Sequence, residues 1–152
     1  MKITTINKAG IELICQFEGF SSKPYLCSAK VPTIGYGTTR YPNGKKVTLQ
    51  DTSITVEQAK DIMKHDLRQF ELAVDAMAVD TINQNQFNAL VSFAYNVGAT
   101  ALRTSTLLKK VNSNTNDPFI RNEFLKWVKA GGVTVTGLIR RREAESNLYF
   151  TK

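Results

Sequence analysis

The chain has 152 residues, 42% of them hydrophobic and 22% charged, which supplies one domain-sized core and excludes a chain that is disordered throughout. Twenty Lys and Arg against thirteen Asp and Glu leave a net charge of +7. That balance favours a polyanionic partner without naming it: nucleic acid, an anionic membrane surface and a carboxylate-rich cell wall all qualify.

Residues 1–8 lack the apolar stretch of a signal peptide, and no later run approaches a membrane span, so the expected product is soluble and made in the cytoplasm. Two cysteines, Cys15 and Cys27, and the single His65 are too few and too irregularly spaced for zinc, so neither a metal nor a cofactor is expected. A Cys15 to Cys27 disulfide would require an oxidising compartment.

In chain order, Asn7 reads as the N-cap of a helix from Lys8 to Glu18, with Ile11, Ile14 and Cys15 on its apolar face and Gly19 ending it. From Tyr25 to Thr39 the texture changes. Val31-Pro32-Thr33-Ile34 suits a strand, Gly35 and Gly37 interrupt it, and Tyr41-Pro42-Asn43-Gly44-Lys45 reads as a hairpin turn, so a small lobe of two or three strands is expected.

Thr55-Val56-Glu57-Gln58 forms a capping box, and Ala59, Met63, Leu67, Phe70, Val74 and Met77 recur at steps of three and four, the signature of one long helix. Gln84 to Val97 carries Phe87, Leu90, Val91 and Ala94 on one face and stops at Gly98. Shorter helices are expected over Thr106 to Val111 and Phe119 to Lys129, with a polar surface loop from Asn112 to Asp117 separating them. Gly131-Gly132 then breaks the chain before a last helix from Leu138 to Phe150. The fold class expected is α+β and predominantly helical: a small N-terminal β-hairpin lobe joined by a long helix to a helical lobe, residues 1–152 forming a single domain with a cleft between the lobes.

Glu18 stands out on physical grounds. A carboxylate in the last turn of a helix faces the negative end of the macrodipole, and the flanking Phe17 and Phe20 disfavour its charged form, both of which push its pKa upward and suit a proton donor. Position alone favours a solvated helix-end Glu.

The residues downstream decide between these. Phe17-Glu18-Gly19-Phe20 is followed by Tyr25-Leu26-Cys27 and by Pro32-Thr33-Ile34-Gly35-Tyr36-Gly37-Thr38-Thr39. This pattern resembles the bacteriophage lysozyme family, in which a helix-ending Glu, an acidic residue nine positions on, and the Thr of a Thr-Ile-Gly strand form the catalytic set; Glu18, Cys27 and Thr33 occupy those places. The resemblance extends through Ile54 to Ala59, Gln84 to Gly98, Trp127, Gly131-Gly132 and Gly137 to Glu143, which is nearly the whole chain.

The resemblance implies an endolysin that hydrolyses the β-1,4 bond between N-acetylmuramic acid and N-acetylglucosamine in bacterial peptidoglycan. Glu18 is then the general acid, and Thr33 helps hold the attacking water. Position 27 departs from the better-known pattern, because a thiol stands where a second carboxylate is expected. Cys27 is read as a working variant, as base, nucleophile or polar water-holder, against the alternative of a small buried hydrophobe.

The resemblance also places an Arg of the last helix near the catalytic Glu, with Arg141 or Arg142 the candidate; consecutive helical residues point about 100° apart, so at least one of Arg140-Arg141-Arg142 turns inward. Tyr95 and Asn96 are expected to line the sugar cleft, although core packing is the commoner fate of such a Tyr. Phe87, Phe93 and Trp127 read as core and His65 as solvent-facing.

Peptidoglycan is the expected partner of a monomer acting in the periplasm or cell wall. A holin would give it access to the wall. The competing classes are a peptidoglycan-binding relative without activity and a basic nucleic-acid binder; the latter rests on charge alone, with no recognition helix and no interleaved basic and aromatic platform.

Overall fold

A computed structural model describes residues 2–152. Its elements are α1 (Lys8–Glu18), β1 (Ser21–Leu26), β2 (Pro32–Gly35), α2 (Val56–Met77), α3 (Gln84–Val97), α4 (Ala99–Thr104), α5 (Thr106–Ser113), α6 (Ile120–Leu125), β3 (Lys129–Ala130), β4 (Val133–Thr134) and α7 (Thr136–Tyr149). The class is α+β and predominantly helical, and α1 and α3 have the limits expected of them. The chain divides into two compact units, one of residues 14–68 and one of residues up to 13 together with 69–152. No helix among the described residues is long and apolar enough to cross a membrane.

In the unit of residues 14–68, β1 and β2 pair antiparallel with Tyr25 opposite Thr33 and Leu26 opposite Pro32, and a register irregularity separates that pairing from Ser21 opposite Gly35. The strand at 21–26 was not visible as one because it alternates poorly and carries Pro24. The turn at 41–45 forms as expected: Gly44 N–H donates to Tyr41 O at 2.9 Å, and an isolated bridge joins Arg40 and Lys46. Asp51 pins this turn by accepting from Tyr41 Oη at 2.6 Å and Thr48 Oγ1 at 2.6 Å. Burial and that carboxylate hold the Tyr41 phenol protonated, its pKa pushed up to about 12. Thr55 and Gln58 close the reciprocal capping box at the start of α2. Behind them Ile14, Ile34, Ala59, Met63 and Leu67 are at most 1% exposed and form this unit's core. Gly35 has φ +65°, and a Cβ there would meet Ala59 Cβ at 3.1 Å, so only glycine lets β2 end so close to α2.

In the other unit α3 is mostly buried, Gln86 through Ala94 all lying in the interior. Phe87, Leu90, Phe93, Leu102, Val111, Ile120, Phe124 and Tyr149 are all 0% exposed around it. Asn83 caps α3 with a full capping box, and Gly98 ends it at φ +99°. Asn7 caps α1 through Gly10 N–H, which donates to its Oδ1 at 3.4 Å, and exchanges amide hydrogen bonds with buried Asn88. This draws the start of α1 against α3 at Gly10, where an added Cβ would stand 2.3 Å from Ile6 Cγ1 and 2.8 Å from Asn88 Cγ. Gly10→Ala therefore overpacks the contact and is expected to cost about 1–3 kcal/mol, read as a lowered denaturation midpoint.

Three sequence expectations need correction in this unit. The helix expected over 119–129 runs only from Ile120 to Leu125, and the chain then forms the β3–β4 hairpin. Gly131 and Gly132, at φ +58° and +80°, make the tight two-residue turn that lets this ribbon pair, rather than simply breaking a helix. The last helix starts at Thr136, not Leu138, and α5 continues to Ser113. A short α4 was not foreseen.

Candidate active site

Each unit carries one group of the expected residues. In the unit of residues 14–68, Glu18 is the last residue of α1. Gly19, at φ +69°, turns the chain away and donates its N–H to Cys15 O at 3.2 Å. Glu18 is half-buried, and the backbone of Gly37 approaches its carboxylate so closely that a Cβ there would lie 3.4 Å from Oε2. Phe20 packs its ring on Tyr36 at 5.5 Å, and Tyr36, buried and hydrogen-bonded to Cys15, is held above the ordinary phenol range.

Cys27 sits where the β1–β2 ribbon closes. Its N–H donates to Val31 O at 3.1 Å and its own carbonyl accepts from Lys30 N–H at 2.8 Å, with Lys30 in the left-handed region at φ +59°. Val31 lies opposite Cys27, and Thr33, two residues beyond Val31, falls on the same face of the ribbon. Thr33 is 3% exposed, and its hydroxyl donates to Val31 O at 2.9 Å.

The Cys27 thiol is held below its ordinary pKa, first by a backbone hydrogen bond from Val31, then by the Thr33 hydroxyl and the backbone of Ala29. Hydrogen bonding to the anion does this. Thr33 Oγ1 has one proton and two acceptors in reach, Val31 O and the thiolate. Cys15 and Cys27 are not joined in a disulfide.

In the other unit, Arg141 and Arg142 both turn inward from α7, 3% and 0% exposed, while Arg140 stays in solvent. Glu145, one turn on and 0% exposed, receives Arg142 Nη1 on Oε1, and Arg141 Nε at 3.3 Å and Ser92 Oγ at 2.5 Å on Oε2. Arg142 also donates through Nε to Trp127 O at 2.9 Å and through Nη2 to Asn96 Oδ1, and its guanidinium lies 5.0 Å over the Phe93 ring. Burial pulls the Arg142 pKa down against the attraction of Glu145, but a guanidinium stays charged.

Asn96, exposed at the end of α3, thus has its oxygen fixed and its NH2 group left to donate. It lines an open depression of about 400 Å³ with Trp127, Lys129, Leu138 and Arg142. Tyr95 is half-buried and packs edge-on to Phe70 at 5.4 Å.

Sequence reasoning missed Glu145 and Ser92, the groups that orient both arginines. The three- and four-residue steps from Arg142 and Arg141 to Glu145 were the available signal. Among the described residues no three His, Cys, Asp or Glu side chains converge to hold a metal ion.

The phage lysozyme family profile matches residues 15–145, which include both groups. The chain belongs to the phage lysozyme family. Among other members of this family, the endolysin of Bacillus phage B103 is 42% identical over 146 residues, 96% of this chain and 54% of that protein. This phage lysozyme chain spans about half the length of the two Bacillus phage endolysins it matches, 54% of each. Among solved structures, the endolysin from Escherichia coli O157:H7 phage FAHEc1 superposes with a TM-score of 0.90 at 35% identity, over 99% of this chain and 96% of that one. The muramidase domain of SpmX from Asticaccaulis excentricus gives 0.83 at 30% identity, over 99% of this chain and 100% of that one.

Proposed function

We propose that this phage lysozyme is an endolysin that hydrolyses the β-1,4 bond between N-acetylmuramic acid and N-acetylglucosamine in bacterial peptidoglycan, with residues 1–152 acting as one catalytic domain. The observation that carries the reading is Cys27 on the same face of the β1–β2 ribbon as Thr33, in the place where the family pattern has an acid, in a chain whose residues 15–145 match the phage lysozyme family.

In this reaction the Glu18 carboxyl gives its proton to the glycosidic oxygen as the C1–O bond breaks. A water resting on Thr33 attacks C1, and its proton passes to the Cys27 thiolate. Attack by water from that side inverts the anomeric centre, and proton NMR of the first product reads this directly. Asn96 and Tyr95 contact the sugar, and Arg142 holds Asn96 by its oxygen so that the amide N–H groups face substrate. Arg141 and Arg142 act through these partners.

The thiol can be tested by replacement. Cys27→Ser raises the pKa of the group far out of range and is expected to weaken lysis of permeabilised cells strongly, whereas Cys27→Asp retains more activity. An Asp ionises at about 3.9, well below the ordinary thiol value of about 8.5, so the mean of the two titrations falls and the pH optimum of Cys27→Asp moves to lower pH. Full activity in Cys27→Ala would remove the thiol from the reaction.

Access to the wall is assigned to a separate membrane-permeabilising partner, a holin, and the enzyme acts as a monomer in the periplasm or wall. Light scattering is expected to give the mass of one chain. With a net charge of +7, approach to an anionic envelope is electrostatic. Raising ionic strength from about 0.01 to 0.15 M shortens the screening length from ~30 to ~8 Å and is expected to slow lysis several-fold; a rate flat across this range contradicts it.

A further inference from the structure

Across the β1–β2 ribbon Tyr25 pairs with Thr33, and two residues nearer the turn Cys27 faces Val31. Successive residues of a strand point to opposite faces, so Tyr25, Cys27, Val31 and Thr33 share one face while Leu26 and Pro32 share the other. On the shared face the diagonal from Cys27 to Thr33 crosses the diagonal from Tyr25 to Val31. Directly opposed side chains leave a ribbon about 4.5–5.5 Å apart, which makes Tyr25 and Thr33 neighbours.

The two diagonals differ in exposure. Thr33 is 3% exposed, whereas Tyr25 is 41% and Val31 42% exposed. Phe20, Tyr36, Phe70 and Tyr95 all pack on other rings. Tyr25 does not: among the described residues its ring has no aromatic or cationic neighbour and its hydroxyl has no hydrogen-bond partner. A pyranose presents C–H groups on its faces and hydroxyls around its rim, so a flat ring with a wet polar tip can cover a sugar face without stranding a polar group.

We infer that Tyr25 is a substrate-contacting residue whose ring packs on the pyranose attacked at its anomeric carbon, with Val31 adding apolar surface on the other side of Cys27. This rests on the proposed function, because the roles given to Cys27 and Thr33 are what bring that carbon to this face. Packing of this kind holds the sugar before and during the reaction alike, so its loss appears in binding and KM more than in kcat.

Sedimentation with purified peptidoglycan reads binding in the Glu18→Gln background, where substrate is not consumed. Affinity is expected to fall about fivefold or more in Tyr25→Leu, which keeps apolar bulk without a ring, and to return to within about twofold in Tyr25→Phe. Leu26→Ala removes a side chain that is 52% exposed on the opposite face, and affinity there is expected to stay near the native value. With Glu18 restored, Tyr25→Leu raises KM for soluble glycan strands more than it lowers kcat.

Tyr25→Val, a stronger strand former, serves if a melting curve shows that Tyr25→Leu does not fold. Native affinity in the folded ringless variant, an equal loss in Leu26→Ala or in Tyr25→Phe, or no affinity of Glu18→Gln itself for peptidoglycan overturns the assignment. Failure of the hydrolase reading appears separately, as lysis retained by Glu18→Gln.

Discussion

Glu18→Gln is expected to reduce lysis of permeabilised bacteria to the floor of a turbidity assay while leaving the protein folded. The amide keeps the shape of the side chain against Gly37 but has no acidic proton to give, and general acid catalysis alone is worth about 10²–10⁴-fold. Folding should survive because Glu18 is half-buried at a helix end whose backbone is held by Gly19 and Cys15. Circular dichroism and a melting curve beside the lysis assay separate a chemical loss from a structural one. Activity retained by a folded Glu18→Gln removes Glu18 from its role and the proposed function with it.

The largest loss of stability is expected from Glu145→Gln. Glu145 is the carboxylate shared by Arg141, Arg142 and Ser92, all at most 3% exposed. Removing its charge leaves two buried guanidinium groups without that partner, and breaking a buried pair from one side costs about 3–5 kcal/mol. Urea denaturation at neutral pH reads this as a fall in midpoint at unchanged slope. A loss below about 1 kcal/mol would mean that the arginines find other partners. Because Arg142 also fixes Asn96, the same variant is expected to raise KM.

Legibility in the sequence followed the kind of pattern each element presents. α1, α2 and α3 bury apolar residues at helical spacing between clear caps, so periodicity and capping signals located them. α7 buries Arg141, Arg142, Glu145, Ser146 and Tyr149, a mostly polar face that hydrophobic periodicity cannot see, and its start was placed two residues late. β3 and β4 have two residues each, too short for any alternation.

At the candidate site, Glu18, Cys27 and Thr33 were singled out by their order along the chain. Their physics was not legible there: the hydrogen bonds that favour the thiolate depend on the turn at 27–31 and on Lys30 adopting a left-handed conformation that a Lys seldom takes.

A helix ringed by neighbours, as α3 is, has no wet side to tell it which way to face. Three polar side chains on it settle the matter: Asn88 by exchanging bonds with Asn7, Gln86 by donating to Thr115 O at 3.2 Å, and Ser92 by donating to Glu145. Like the notches of a key, they make every rotation but one leave a stranded amide or hydroxyl. Asn96, at the far end of the same rod, therefore owes its aim to groups up to nearly three turns away.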